Sequence, residues 1–537
     1  MALLEPSVLA NTIMSKLYNV LTNGDDTVPP SADNFFSWCT PGIPIEPADL
    51  EFLTQGLTGV VKKSAVDAMQ PSAAAATAAA GGTPPAPPAA PQLSQEQLDA
   101  LMAQDTMRLY MQAESMARLL DFVPDVAAGT NEQFARLSVQ NNDGTLSDVY
   151  DYTLRMSQVM KVELPPETVA QIERLNGLLQ KTVKTKDVIT QEETETTGPS
   201  DLVTTYLAKM AAYDAAALEY NARRIDALTA TNSRAIHDWA INANIYRNKV
   251  RAAMADWETA GHKLDYEKIA AFFEQVGRRD MALLKQQYVE DLEKARLTSP
   301  ISGSDFFFTS LVPGNFATST GWTRFGFSAG DYASHSNSSY SWSKSSGGGG
   351  FSFLGIGGAG GSHASSTRHS EYHGTCDSSS VDMSFEIAQI PIARPWLRTA
   401  FLTSHYWRFD QNNVVVKGDV LSDGGSPPKG KMPAIPTSAI FVRKLSLKFG
   451  ESHEFSDYVN NARSQSTSAG GYFAFGPFFA GGSGSYRSGS GDTRRDYGFK
   501  FENNTMFVDG MQLIGFKCHV LPKSPDPSSE IPATAWI

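Results

Sequence analysis

Between Ser94 and Phe122 the apolar residues Leu98, Leu101, Met102, Leu109, Met116, Leu119 and Leu120 recur mostly three, four or seven apart, which predicts a helix with one buried face. Ser94 with Gln97 supplies a capping-box start. Shorter helical patterns cover 131–139, 145–161 and 166–182. From Ser200 to about Ala260 there is neither Pro nor Gly, and Leu202, Tyr206, Met210, Tyr213, Leu218, Ile225, Trp239, Val250 and Trp257 keep the helical interval. Read as one helix, that stretch would span about 90 Å at 1.5 Å per residue. Gly261 interrupts it and Leu264–Ala295 resumes it, so the expectation is a long antiparallel helical hairpin. Residues 1–70 carry weaker helical patterns, and 71–93 alternate Ala-rich with Pro-rich pieces that cannot bury a core.

Beyond Pro300 the pattern changes to aromatic residues, Val/Ile alternation and turns rich in Gly, Ser and Pro. In Ile440–Phe449, alternation places Phe441, Leu445, Leu447 and Phe449 on one face and Lys444, Ser446 and Lys448 on the other. The fold expected from these patterns is an α+β multidomain chain: an N-terminal long-helix bundle or helical hairpin, then a C-terminal antiparallel β domain with an internal duplication. Its parts are a small helical region at 1–70, a linker at 71–93, the helical bundle at 94–299 and the β domain at 300–537.

The duplication emerges when 321–400 is laid over 445–520. In each copy a polar arm runs into a Gly-rich, aromatic tip, returns through a second polar arm and delivers an apolar strand. The hairpins so defined are 331–380 and 456–496. Met383 and Gln389 in the first copy match Met506 and Gln512 in the second. A pseudo-two-fold arrangement with equal burial of the two Met residues follows, since a one-residue slip would turn every side chain over. The tips carry Phe351, Phe353, Leu354 and Ile356 in one copy and Tyr472, Phe473, Phe475, Phe478 and Phe479 in the other. An apolar cluster at the end of a polar ribbon needs a membrane or a partner to cover it.

Charge narrows the function classes. The net charge is −12, and residues 301–537 hold 19 Lys+Arg against 18 Asp+Glu, which leaves 26 against 39 for 1–300. Neither half offers the basic field a nucleic-acid binder needs, so no nucleic-acid partner is expected. Three cysteines far apart suggest neither a disulfide framework nor a clustered zinc site. His363, His369 and His373 share a strand face by their even spacing, and a turn near Phe353 would bring His335 across from His373, a weak candidate metal site. Gly355–Gly360 has the GxGxxG spacing of a dinucleotide turn but no helix pattern after it. No catalytic motif is recognised, so the chain is expected to be non-enzymatic and to need no cofactor.

The two Gly/Ser-rich segments with aromatic tips resemble the membrane-inserting hairpins of β-barrel pore-forming toxins, over about 331–380 and 456–496. That resemblance implies a membrane-active, homo-oligomeric protein with a lipid membrane as partner, which oligomerises through its helices or sheet edges. The arm at Ala333, His335, Asn337, Ser339 and Ser341 departs from it, being polar where a lipid-facing set would be apolar. The alternative is a self-assembling structural protein whose hairpins pair between subunits. The opening Met-Ala-Leu-Leu-Glu-Pro has no basic run before an apolar stretch, so the expected location is cytoplasmic as synthesised, with release by a non-classical route.

Overall fold

The computed structural model describes residues 3–4, 13, 16–17, 20–21, 34–57, 95–124, 145–160, 166–186, 193–229, 233–277, 281–299, 303–328, 354–358, 370–371, 376–377, 382–425, 428–448, 471–475, 478–488, 491–497, 500–502 and 505–537. The longer helices are α1 (Gln95–Leu120), α2 (Leu146–Met156), α3 (Pro166–Leu179), α4 (Asp201–Thr229), α5 (Ser233–Thr259), α6 (Lys263–Gly277) and α7 (Met281–Lys294). In chain order the strands needed below are β1 (Leu3–Leu4), β2 (Asn34–Ile45), β3 (Ser310–Leu311), β4 (Thr323–Phe327), β5 (Leu354–Gly358), β6 (Ser370–Glu371) and β7 (Cys376–Asp377). They continue as β8 (Asp382–Ala393), β9 (Ala434–Lys448), β10 (Gly471–Phe475), β11 (Phe478–Ser488), β12 (Gly491–Tyr497), β13 (Lys500–Glu502) and β14 (Thr505–Val520).

The centre is a seven-stranded antiparallel sheet. Its middle is a meander in which β4, β8, β9 and β14 are successive neighbours, with β2 and β13 along the far side of β14 and β3 on the end of β8. This overturns the expected N-terminal helical bundle. Helices lie along the chain among strands, and β2, from the first 50 residues, is part of the central sheet. Within the supposedly helical half, Ser157–Val159 pairs with Trp407–Phe409 and Gln180–Lys186 with Glu193–Pro199.

Two buried clusters explain why the halves cannot be separated. One joins Leu109, Met116 and Leu120 of α1 to Ile390, Phe441 and Leu513 of the sheet; the other joins Tyr150 of α2 and Leu284 and Leu292 of α7 to Trp396, Trp407 and Leu521. Hydrophobic periodicity reveals that a helix has a buried face but not what covers it. Here the cover is the β half.

The long hairpin expected from Ser200–Ala260 folding back onto Leu264–Ala295 does not form: the first stretch is itself two helices, α4 and α5, that fold back on each other. α4 and α5 run antiparallel, fastened by Lys209–Asp256 at 2.6 Å and Lys249–Glu219 at 3.1 Å, with Tyr206 and Tyr213 on Trp257 and Tyr220 on Trp239. The reversal falls between Thr229 and Ser233 instead of at Gly261. Thr229-Ala-Thr-Asn-Ser233 contains three poor helix formers, and Ser is a favoured first residue for a new helix. Gly261 still ends α5: a side chain there would meet the Trp257 carbonyl at 2.5 Å.

Helix α2 starts as a reciprocal cap, with Thr145 accepting from the Asp148 amide at 3.1 Å while Asp148 accepts from the Thr145 amide. Strand β9 departs from simple alternation. One extra residue lies opposite the Ser384–Glu386 step, and Lys444 takes φ 54° to absorb it. Phe441 therefore joins the cluster under α1, whereas the strictly alternating reading puts it on the face of Leu445 and Leu447. The bulge also lets Arg443 and Lys444 both reach Glu386, at 2.7 and 2.8 Å, and although partial burial opposes it, these two cations hold that carboxyl below the ordinary Glu range.

Helix α4 lies over β8, where Gln389 Nε2 donates to Asp214 Oδ2 at 3.1 Å. Burial raises the Asp214 pKa despite Lys517 and Gln389. A carboxyl with a raised folded-state pKa costs stability above that pKa, and the cost disappears below the unfolded value. Asp214→Asn, which keeps an acceptor for Gln389, is expected to raise the urea midpoint at pH 7 and to lose its advantage as the pH falls into the ordinary Asp range. An unchanged or lowered midpoint at pH 7 would show that the charged form is the one the site favours.

Candidate deployable segments

Across the four strands of the meander, Phe327, Met383, Leu447 and Met506 are register partners in one row, which Phe501 of β13 extends. All of the first four are buried. The connection from β4 to β8 and that from β9 to β14 therefore leave the sheet at the same end, just beyond this row. Each is an insertion of about 55 residues between neighbouring antiparallel strands, where a two-residue turn is enough to connect them.

Met383 and Met506 are equally buried and occupy the same row, as the duplication implies. The expected pseudo-two-fold axis is not found. β4–β8 and β9–β14 are successive hairpins of a meander, related by a step across the sheet; a two-fold axis through the sheet would send the insertions out of opposite ends. Gln389 and Gln512 diverge as well, opposite Ile440 and Val442 respectively, because the bulge that separates each from its Met puts the extra residue on β9 in the β8–β9 ladder and on β14 in the β9–β14 ladder.

The insertions meet each other in a second, five-stranded sheet of order β6-β5-β10-β11-β12. β5, which holds Leu354 and Ile356, lies near the midpoint of the first insertion. β10, which holds Tyr472, Phe473 and Phe475, lies near that of the second. They pair antiparallel from Leu354↔Phe475 to Gly358↔Gly471. Gly355–Gly358 is thus antiparallel strand, which is not the setting of a dinucleotide-binding turn.

Phe478 and Phe479 bring this second sheet onto the first. They are 0% and 3% exposed, and the Phe478 ring centroid lies 5.2 Å from that of Phe385 on β8. The Gln512 side chain, 4% exposed, accepts from the Phe479 amide at 2.7 Å and donates to the Phe479 carbonyl at 3.1 Å. One side-chain amide thus replaces a strand partner on both counts. In this arrangement the chain itself covers Phe478 and Phe479, and contact with lipid or a partner requires them to leave it. Phe351, Phe353, His335, His363, His369 and His373 lie outside the described residues.

The clasp was not anticipated from sequence. Gln512 emerged from the duplication only as a spacing match to Gln389, and nothing in a single Gln signals which main chain it answers. Among the described residues, no group of three His, Cys, Asp or Glu is placed to hold a metal ion, and no helix is long and apolar enough to cross a membrane. No family model, curated protein or solved structure matches this chain.

Proposed function

We propose that the protein is membrane-active and works by extending its two Gly/Ser-rich insertions together from one end of the central sheet. The observation that carries this reading is the common row of Phe327, Met383, Leu447 and Met506, since two insertions leaving one end between adjacent strands can continue the same ladder. Continued in register, they would add four neighbouring strands of about 25 residues, roughly 80 Å at 3.3 Å each, against the 9–11 residues a transmembrane strand requires. Extended hairpins would have their turns near the insertion midpoints, where β5 and β10 now pair. That pairing would have to open. The reading needs no catalytic residue and no cofactor.

A disulfide between cysteines at the register partners Gly355 and Ala474 tests this directly, in a background with Cys376→Ser. With the bond closed, dye release from liposomes should fall to the level of buffer, and reduction should restore it. Equal release from locked and reduced protein would exclude extension as the means of attack.

One observation favours a second reading, self-assembly through strand pairing. Among the described residues β12 pairs only with β11, leaving one side of an edge strand for a neighbour, and α5 turns Ile241 and Ile245 outward, 61% and 55% exposed. Filaments or rings formed without lipid, together with intact liposomes, would favour it.

A further inference from the structure

One edge of the central sheet is β4. It is the last strand on its side, and among the described residues it pairs only with β8. An edge strand offers main-chain donors and acceptors to any strand that reaches it, and proteins cover such edges to stay monomeric. Here the cover comes from the N-terminal segment. Ile13, Lys16, Leu17 and Val20 are helical, lie three or four apart and are all buried. Lys16 is on that buried side, 1% exposed. Its ammonium donates to the Gly326 carbonyl of β4 at 2.7 Å, forms an ion pair with Asp226 of α4, and lies 5.4 Å from the centroid of the Phe325 ring.

A charged side chain buried against an edge strand, with the Gly326 carbonyl and the Phe325 ring on that strand and Asp226 on α4, is costly to place and specific once placed. Gly326 and Arg324 are two apart, so their main-chain groups lie on the same side of β4. The same N-terminal segment touches the first insertion too, as Leu3 and Leu4 of β1 pair with Asp377 and Cys376 of β7. It thus bears on the open edge and on a segment inserted beside that edge.

We propose that the N-terminal segment is a guard that keeps the β4 edge from pairing with a second copy of this chain. The partner is a second copy because the opposite flank of the same sheet supplies the other half of such a contact. At the same level, β13 extends the Phe327–Met506 row and among the described residues pairs only with β14. Pairing β4 of one copy with the β13 edge of the next joins unlike surfaces, so it propagates into rings or filaments instead of stopping at a dimer. Removing the guard is therefore the step that would turn a monomer into an assembly. No lipid enters this inference, so it stands or falls apart from the membrane reading.

The test is a protease site inserted between Leu21 and Asn34 of the full-length chain, followed by sedimentation velocity without lipid. The uncut protein should sediment as a monomer. After cutting and removal of the N-terminal peptide, the body should sediment as larger species, and excess synthetic peptide of residues 1–24 should return it to monomer. Arg324→Pro, which removes a main-chain donor from the open side of β4, should abolish assembly of the cut protein. A cut body that stays monomeric with an unchanged circular dichroism spectrum overturns the proposal, as does assembly indifferent to Arg324→Pro. If cutting unfolds the body, Lys16→Met in the intact chain decides: association that grows with concentration supports the guard, and a monomer at every concentration refutes it.

Discussion

Gln512→Leu is expected to loosen the second sheet from the first while leaving the central meander intact. Leu fills nearly the same space but can neither accept from the Phe479 amide nor donate to its carbonyl. Both main-chain groups would then lose the partner that Gln512 supplies, at about 1–3 kcal/mol each. The cost falls where β11 meets the central sheet, so opening of the second sheet would absorb most of it. Hydrogen exchange across 478–488 should quicken by roughly 10- to 100-fold, with protection in β9 unchanged. If extension of the insertions is what attacks membranes, the same variant should release liposome contents at lower protein concentration. Uniform loosening of both sheets, or none at all, would show that the clasp does not set the order of opening.

Asp291→Ala should be the most destabilising single change outside the apolar core. Asp291 of α7 is 5% exposed, and its carboxylate lies 3.2 Å from the Arg398 guanidinium, in a segment that reaches α7 from the β half. Burial alone would lower the Arg398 pKa, but Asp291 and Tyr288 more than offset it and leave it raised. Without Asp291, a cation stays in the interior beside Tyr150 and Tyr288, with an expected loss of about 3–5 kcal/mol. A domain of ordinary stability has only about 5–15 kcal/mol in total. Urea denaturation would show this as a large fall in midpoint, and Asp291→Leu with Arg398→Met should recover most of it because neither charge remains. A loss under about 1 kcal/mol for Asp291→Ala would mean that water reaches the pair.

How much of this was legible in the sequence differs from element to element. The helical periods of α1, α4, α5 and α7 and the strand character of β8, β9 and β14 could be seen in the order of residues, because side-chain spacing follows directly from backbone geometry. The matched spacing of Met383 and Met506 was legible too, and the two do share a row across the sheet. What stayed hidden depends on distant partners. Asn34–Ile45 contains Pro41 and Pro44 and gives little strand signal, yet it pairs with Met511–His519 through an irregular register. Lys16 would be assigned to a solvated helix face by its chemistry, and only the carbonyl of Gly326 and the carboxylate of Asp226 explain its burial. The bulge at Lys444 reverses the facing of Phe441, although no Gly announces a left-handed residue there.

Insertions between register neighbours also bear on how the chain folds. To bring Phe327 beside Met383, or Leu447 beside Met506, the chain must close a loop of about 55 residues before the ladder gains its first bonds. Relative to a four-residue turn, that closure costs about 2 kcal/mol of chain entropy for each hairpin, and it slows nucleation of the meander at this end. The logarithm has another side: doubling either insertion would add only about 0.6 kcal/mol. Reach is therefore nearly free to vary in this architecture. An insertion could lengthen or shorten by tens of residues while the row beneath it, and the β9 strand at its centre, kept the same register and the same core.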